Sequence, residues 1–236
     1  MVRAVPEFLP PPPLDLDALR AGRLARLRET MVDHGLDVCV LSNPVNLRYA
    51  ADYRGFPLFQ SHIPSTYLMV PAEGPLVLYG GYSGPLETID DVRPAHSVTA
   101  FDAGMDLSTV AAGFAADVAA YLSEVGLPPT AAVGLERTSP SGHAALADTD
   151  LRVVDAEPVV EQARSRKSPL ELDALRYSID VAEHGMAAME AALVSGISEN
   201  QLWSILHQVN IAHDGDWIDG RMLCSGPRSN PWYQEA

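Results

Sequence analysis

The run of residues most suggestive of chemistry in this 236-residue chain combines an imidazole, three carboxylates and an indole. Its members are His213, Asp214, Asp216, Trp217 and Asp219. Imidazole and carboxylate groups are ligands for divalent ions, but this spacing matches neither a calcium-binding loop nor a zinc motif. The run is better interpreted as a turn between a helix and a strand, with solvated acidic side chains.

A polar, aromatic and turn-rich tail follows this run and contains the candidate substrate-binding residues. Loops that leave a strand are frequent sites of substrate contact. The candidates are two indoles, a guanidinium, an amide and a carboxylate, namely Trp217, Arg221, Asn230, Trp232 and Glu235. A surface loop without a role is the alternative. No catalytic residue is assigned, and no residue is assigned as a metal ligand.

Two further stretches have notable composition. The glycine-rich run 80–84 lacks the Lys-Ser/Thr pair of a phosphate-binding loop, so the sequence argues against phosphate binding there. The loop Tyr53–Phe59 combines aromatic side chains with an arginine, which is typical of interface anchors. The alternative is that these side chains fold back on their own domain. The remaining histidines have no partners at informative spacing and favour hydrogen-bonded, non-catalytic roles: His34, His62, His96, His143, His184 and His207.

The elements that position these residues begin with an alternation of strands and helices. Apolar periodicity predicts helices over 15–34, 45–51 and 107–125, and strands over 38–41, 66–70, 76–79, 131–135 and 151–154. Such alternation predicts an α/β domain. We expect this domain over residues 15–155, after a flexible proline-rich arm (1–14) and before a linker (156–167).

The remainder, 168–236, opens with the strongest local signals in the sequence. Ser168–Glu171 and Ser198–Gln201 both have the residue types of a capping box, which marks the start of a helix. An apolar stripe at helical spacing runs from Leu172 to Leu193, and 217–224 resembles a strand. Two amphipathic helices need a sheet to cover them. The sequence therefore predicts an incomplete α+β domain.

Bulk composition excludes several classes of protein. The chain is 47% hydrophobic with a formal charge of −15, and such a net field repels nucleic acids and anionic membranes. No run approaches the ~20 apolar residues of a membrane span, and the N-terminus lacks the features of a secretory signal. Cys39 and Cys224 are expected to be reduced and without a disulfide framework. We therefore expect a cytoplasmic protein with no nucleic-acid or membrane partner.

Three ordered motifs carry a resemblance to a known family. Lys167–Arg176, Gly196–Leu202 and Asn43–Tyr49 resemble segments of creatinase, prolidase and aminopeptidase P relatives. The resemblance implies a creatinase-type N-terminal α/β domain followed by the start of a pita-bread domain. It also implies a homodimer in which the N-terminal domain helps to roof the partner's active site. The Tyr53–Phe59 loop is the candidate contact for that dimer.

The same resemblance implies two divalent metal ions (Zn, Mn, Fe or Co) in the complete family enzyme. Their Asp, His and Glu ligands lie in family segments beyond the position of Ala236, so this chain is expected to be a fragment that binds no cofactor. The family members are hydrolases that act on a proline peptide or a small zwitterion.

One departure bears on the reaction. The peptidases of the family carry a histidine in the loop that corresponds to 225–236, and this sequence has none there. The segments 210–213 and 225–232 look closest to the dimethylsulfoniopropionate-lyase branch, in which rings such as Trp217 and Trp232 would suit a sulfonium cation. Peptidase, metal-assisted C–S lyase and non-catalytic dimerisation or binding module remain the open alternatives.

Overall fold

The structure is a computed structural model that describes residues 7–81, 87–216, 218, 220 and 222–230. The chain forms two compact units. The first is Leu16–Lys167, and the second combines the described parts of Met1–Asp15 and Ser168–Ala236. Among the described residues, no helix is long and apolar enough to cross a membrane.

A six-stranded mixed sheet forms the centre of the first unit. Its strands are β1 (Val38–Leu41), β2 (Tyr67–Pro71), β3 (Val77–Tyr79), β4 (Asp91–Arg93), β5 (Ala132–Leu135) and β6 (Arg152–Asp155), in the order β4-β3-β2-β1-β5-β6. β2 is antiparallel to both of its neighbours, and the other pairings are parallel. The carboxyl ends of the other five strands therefore meet at one end of the sheet, which we call the carboxyl end.

Helices cover both faces of this sheet. In chain order they are α1 (Leu16–Asp33), α2 (Pro44–Ala51), α3 (Pro57–His62), α4 (Ala100–Ala103), α5 (Leu107–Glu124), α6 (Pro140–Ala147) and α7 (Glu157–Ser165). One core cluster joins the sheet to α1, α2 and α7, and a second joins it to α5 and α6.

Strand β1 shows why its sequence is apolar throughout. Successive side chains point to opposite faces, so Leu41 enters the cluster that contains Leu27 of α1, while Val40 enters the cluster that contains Phe114 of α5. All four residues of β1 are buried. A strand covered on both faces has no solvent side on which a polar residue would fit. The predicted α/β fold class is confirmed.

The second unit is a pair of helices, α8 (Pro169–Ala192) and α9 (Glu199–Ala212), each opened by a complete capping box. The helices approach closely at Gly185, where an added Cβ would lie 2.6 Å from Leu206 Cδ1. A side chain at this position would require the Leu206 side chain to move. The absence of a side chain at Gly185 therefore makes room for Leu206 between α8 and α9.

The apolar stripe of α8 remains largely exposed. Leu172, Ile179, Met186 and Leu193 are 41%, 54%, 65% and 63% exposed. These are the side chains that helical periodicity predicts as a buried face. No strand lies among the described residues of this unit, so nothing described there covers the stripe.

The structure differs from the predicted elements in the linker and in the tail, and it adds three short elements that were not predicted, β4, α3 and α4. Most of the predicted linker is helix α7, whose Val159, Val160 and Ala163 are buried in the first unit. Trp217–Cys224 was expected as a strand, but its described residues pair with no other strand and have no regular structure. The boundaries at residues 14, 155 and 167, and the flexibility of the arm, stay predictions.

The capping box of α8 makes a direct stability prediction. Ser168 Oγ accepts the Glu171 N–H at 3.2 Å, and Glu171 Oε2 accepts the Ser168 N–H at 2.8 Å. We expect Ser168→Ala to lower the free energy of unfolding of the second unit by about 1 kcal/mol. Ser178→Ala, on the exposed side of the same helix, is the matched control and should be neutral or slightly stabilising. Urea unfolding followed by circular dichroism measures both; equal effects would contradict the prediction.

Candidate functional site

Of the predicted substrate-binding residues, only Asn230 lies within the described part of the chain. Trp217, Arg221, Trp232 and Glu235 lie outside it. Asn230 is exposed and follows a short 3-10 turn, Gly226–Ser229. The assignment of these five residues to substrate binding stays a prediction.

The beginning of the tail is tied to the first turn of α9. Ser225 Oγ donates to Glu199 Oε1 at 2.5 Å, and Arg228 pairs with the second oxygen of the same carboxylate. The Ser225 hydroxyl, followed by the charge of Arg228, lowers the pKa of Glu199 from its ordinary value. A helix N-terminus further favours the negative charge. These contacts hold 225–228 at a fixed position on α9.

The run His213–Asp219 does not assemble a metal site in its described residues. His213 is buried, and both of its ring nitrogens face hydrogen-bond partners. Asp214 adopts a φ of 55°, and the Asn210 side chain donates to the Asp216 carbonyl at 2.6 Å, which makes the segment a tight turn. Across the part of the chain that the structure describes, no three His, Cys, Asp or Glu side chains are grouped so that they can hold a metal ion.

A buried carboxylate organises the carboxyl end of the sheet in the first unit. Glu136 directly follows β5 and is 7% exposed. Its Oε2 accepts the backbone N–H groups of Ser42 at 2.8 Å and Asn43 at 2.7 Å, immediately after β1. Its Oε1 accepts from the side-chain amide of Asn46. Because β1 and β5 are parallel neighbours, the residues after both strands meet here, and the carboxylate satisfies the N–H groups of the turn into α2.

Burial and hydrogen bonding shift the pKa of the Glu136 carboxyl group in opposite directions. Burial in a region of low dielectric constant raises the pKa of Glu136, and the three N–H donors lower it; burial has the larger effect. Burial, and then the nearby charge of Glu136, raise the pKa of the Cys39 thiol to about 12. Cys39 is therefore a buried apolar side chain, as the sequence predicts, and not a nucleophile.

A second buried amide extends the network to the next loop. Gln60 on α3 donates to the carbonyls of Ser42 at 2.9 Å and Thr66 at 2.7 Å, and its oxygen accepts the Thr66 N–H at 3.2 Å. Arg137, the neighbour of Glu136, donates to the Ser61 carbonyl at 2.8 Å. The network thus fixes α3 against the ends of β1, β2 and β5.

The loop that contains α3 presents apolar side chains to solvent. Phe56 and Leu58 are 73% and 55% exposed, and Phe59 makes an edge-to-face contact with exposed Phe101, with ring centroids 5.3 Å apart. We call these four side chains the aromatic surface. Tyr53, by contrast, is buried, so only part of the predicted Tyr53–Phe59 contact loop is available to a partner.

Two glycines make room for the Tyr53 ring. A Cβ on Gly55 would lie 2.2 Å from the Tyr53 hydroxyl, and one on Gly81 would lie 2.3 Å from it. Gly81 also has a φ of 80°, in the left-handed region that side chains other than glycine rarely adopt. The described part of the glycine-rich run 80–84 thus has a packing role at the carboxyl end of the sheet.

We expect Gly81→Ala to lower the free energy of unfolding of the first unit by about 1–3 kcal/mol, because it combines backbone strain with a clash against Tyr53. Gly22→Ala is the control, since Gly22 lies on α1 with nothing within 4 Å of its Cβ position. That change should stabilise the unit by up to about 1 kcal/mol. Thermal unfolding compares the stability of the two variants. If Gly81→Ala is as stable as the natural chain, the packing role of Gly81 is refuted.

A polar cluster lies farther along the same end of the sheet. Asp117 Oδ2 on α5 accepts from the Tyr67 hydroxyl at 2.6 Å and contacts His96 Nδ1 at 2.8 Å. Burial and then the hydrogen bond to Asp117 raise the pKa of Tyr67. The His96 side chain is half exposed and has no nucleophile among its described hydrogen-bond partners. The cluster attaches the segment after β4 to α5.

Sequence reasoning does not identify Glu136, Gln60 or Asp117. The sequence signal for Glu136 is a charged residue immediately after the apolar strand Ala132–Leu135. The loops that follow parallel strands lie together at the carboxyl end of the sheet. Gln60 and Asp117 have no comparable signal, because their partners are distant in sequence. The geometry defines an α/β module in which buried polar side chains hold the loops at the carboxyl end of the sheet.

Comparison with known proteins assigns this module to a family. Residues 23–166 match the family model of the creatinase/prolidase N-terminal domain. The chain is 31% identical over 232 residues to the dimethylsulfoniopropionate lyase DddP of Roseovarius nubinhibens and 32% identical to that of Roseobacter denitrificans. Each match covers 94% of this chain and 52% of the relative, so the chain spans about half the length of these curated relatives.

A solved structure agrees at the level of the fold. The prolidase of Thermococcus sibiricus matches with a TM-score of 0.59 and 17% identity, over 80% of this chain and 49% of the prolidase. The chain belongs to the creatinase/prolidase family and corresponds to its N-terminal portion. The family resemblance inferred from the three motifs is confirmed.

Proposed function

We propose that this chain is the N-terminal part of a pita-bread enzyme that cleaves dimethylsulfoniopropionate or a closely similar small sulfonium zwitterion. The observation that carries the proposal is the 31–32% identity to two such lyases along 94% of the chain. Identity to the prolidase structure is only 17%. The absence of the peptidase histidine from 225–236 supports the same preference for lyase over peptidase.

The exposed stripe of α8 supports the view that the chain is one part of a larger enzyme. Leu172, Ile179, Met186 and Leu193 form an apolar face of a size that soluble proteins normally cover. In the proposal, further chain of the parent enzyme packs on this face as the sheet of the pita-bread domain. The described residues do not fit the metal pair of the family, and no reaction step is assigned to metals here.

In this proposal the tail supplies contacts to the substrate. A sulfonium cation is attracted to the faces of aromatic rings, which suits Trp217 and Trp232. The carboxylate of the zwitterion would pair with a guanidinium, which suits Arg221. Ser225 and Arg228, both held by Glu199, give the tail a fixed starting point on α9.

The aromatic surface gives the first unit a role in assembly. We propose that Phe56, Leu58, Phe59 and Phe101 pack against a second copy of the enzyme and so form a homodimer. Large apolar side chains held on a rigid frame lose little conformational freedom on binding, which favours association. The buried network around Glu136 and Gln60 supplies that frame.

The test is an assay of the longest protein encoded by the reading frame that contains this sequence. We expect release of dimethyl sulfide from dimethylsulfoniopropionate and no cleavage of an Xaa-Pro dipeptide. The 236-residue chain, assayed in parallel, should be inactive. Dipeptide cleavage without dimethyl sulfide would refute the lyase proposal, and full activity of the 236-residue chain would refute the view that it is one part of the enzyme.

A further inference from the structure

Among the described residues of the N-terminal arm, Leu9 makes hydrogen bonds to the helix pair of the second unit. Its N–H donates to His213 Nε2 at 2.9 Å, and its carbonyl accepts from the Tyr177 hydroxyl at 2.8 Å. The ring of Phe8 stacks on the His213 ring, with centroids 5.2 Å apart and planes 17° apart. Phe8 and Leu9 thus attach the described part of the arm to α8 and to the end of α9.

The sequence makes the Leu9 N–H hard to replace as a donor. The four residues after Leu9 are prolines, which have no backbone N–H. Prolines also restrict the chain to an extended conformation, so little conformational entropy is lost when the arm docks.

The geometry around His213 requires a neutral ring. Its Nδ1 lies 2.7 Å from the Val209 carbonyl, which can only accept, so Nδ1 carries the hydrogen. Its Nε2 faces the Leu9 N–H, which can only donate, so Nε2 presents its lone pair. The two contacts together fix one tautomer and leave no place for a second ring proton.

We propose that His213 is the acid-sensitive latch of the N-terminal arm. Protonation turns Nε2 from an acceptor into a donor that faces the Leu9 N–H, so this bond is lost and the two N–H groups repel. The buried charge gains solvation when the arm leaves and water reaches the ring. The arm is therefore docked while the ring is neutral, and acidification that protonates the ring releases it.

Other titratable groups near the ring modulate the latch. The His184 ring of α8 lies edge-on to His213, with centroids 5.9 Å apart, and its buried Nε2 has no hydrogen-bond partner among the described residues. Like charges on the two rings would repel each other at this distance. Tyr177 of α8 faces the arm, and Glu7 and Asp214 are the neighbouring acids along the arm and the turn.

Nuclear magnetic resonance of the intact 236-residue chain tests the latch. At neutral pH we expect a His213 ring protonated at Nδ1 and a Leu9 amide protected from hydrogen exchange. On acidification, the ring shifts of His213 and the loss of Leu9 protection, corrected for the intrinsic exchange rate, should share one midpoint. Protection that persists after the ring is charged, or a neutral ring protonated at Nε2, would overturn the proposal.

Three variants separate the latch from general acid unfolding. In His213→Gln the side-chain oxygen accepts the Leu9 N–H without titrating, so the acid step should disappear. Tyr177→Phe removes only the second hydrogen bond and should lower Leu9 protection by about two- to tenfold at neutral pH. Because docking of the arm and loss of the ring proton are linked, the weaker docking should also move the midpoint to higher pH. His184→Gln should retain the step.

Each variant also has an outcome that rejects the latch. An acid step that survives in His213→Gln, or that vanishes in His184→Gln, would remove His213 as the trigger. Should His213→Gln fail to hold the arm at neutral pH, an unchanged midpoint in Tyr177→Phe would refute the latch and a midpoint moved to higher pH would uphold it.

Discussion

Replacement of Glu136 by alanine is expected to lower the free energy of unfolding of the first unit by about 3–5 kcal/mol. The change leaves three donors without an acceptor: the backbone N–H groups of Ser42 and Asn43 and the side-chain amide of Asn46. All three lie where little water can replace the carboxylate, because Glu136 is 7% exposed. Urea unfolding of the purified chain, with circular dichroism as the signal, measures the loss.

Two variants calibrate this result. Glu29→Ala removes an exposed carboxylate from α1 and should change the stability by less than about 0.5 kcal/mol. Glu136→Gln keeps the shape but turns an amide group toward Asn46, whose oxygen already accepts from Arg164 at 3.0 Å. We expect it to cost about 1–3 kcal/mol. If Glu136→Ala lowers the free energy of unfolding no more than Glu29→Ala does, the buried network does not stabilise the fold.

The sign of the pH dependence follows from the raised pKa of Glu136. A carboxyl group whose pKa is higher in the folded than in the unfolded chain binds protons preferentially in the folded state. Its stabilising contribution is complete below the ordinary value of 4.5 and is lost as the pH rises through the folded pKa. Acidification from neutral pH toward 4.5 should therefore stabilise the natural chain relative to Glu136→Gln. A difference in the free energy of unfolding between the natural chain and Glu136→Gln that narrows in acid would contradict the direction of this shift.

Removal of two side chains from the aromatic surface is expected to dissociate the proposed homodimer. Phe56→Ser combined with Leu58→Ser should raise the dissociation constant by at least about 100-fold, as happens when central apolar anchors are lost. The fold should be retained, because both side chains are more than half exposed in the single chain. Sedimentation equilibrium over a range of concentrations, on the chain and on its longer parent, gives the constants.

Val32→Ser provides the control for this experiment. Val32 is 62% exposed on α1, far along the chain from the aromatic surface, and its replacement should leave the dissociation constant unchanged. A natural protein that is monomeric at every concentration would refute the homodimer. If Val32→Ser raises the dissociation constant as much as Phe56→Ser with Leu58→Ser does, the aromatic surface is not the dimer contact.

Local sequence signals predicted much of the secondary structure. The capping residues Ser168 and Ser198 mark the starts of α8 and α9 because they satisfy N–H groups within three residues of themselves. The apolar run Val38–Leu41 identified a strand covered on both faces. Strand β4 and helices α3 and α4 were missed, because elements of three to six residues show too little periodicity to be recognised.

The candidate site followed a different pattern. The sequence directed attention to Trp217, Trp232 and their neighbours by composition, whereas the described geometry centres on Glu136 and Gln60. Both of these residues act on partners brought near by strand pairing, and Glu136 lies more than ninety positions from Ser42 along the chain. Contacts between residues so far apart in the sequence leave no local pattern from which they could be predicted.

The sequence by itself determined the α/β class, the caps of the helix pair and, through three ordered motifs, the family. Each of these depends on neighbours in the chain or on the periodicity of apolar residues. Only the tertiary structure decided that the α8 stripe stays exposed among the described residues, and that the His213 ring accepts a hydrogen bond from the arm. The physical reason is that burial and hydrogen-bond partners are properties of packed elements, and packing joins residues that the sequence keeps apart.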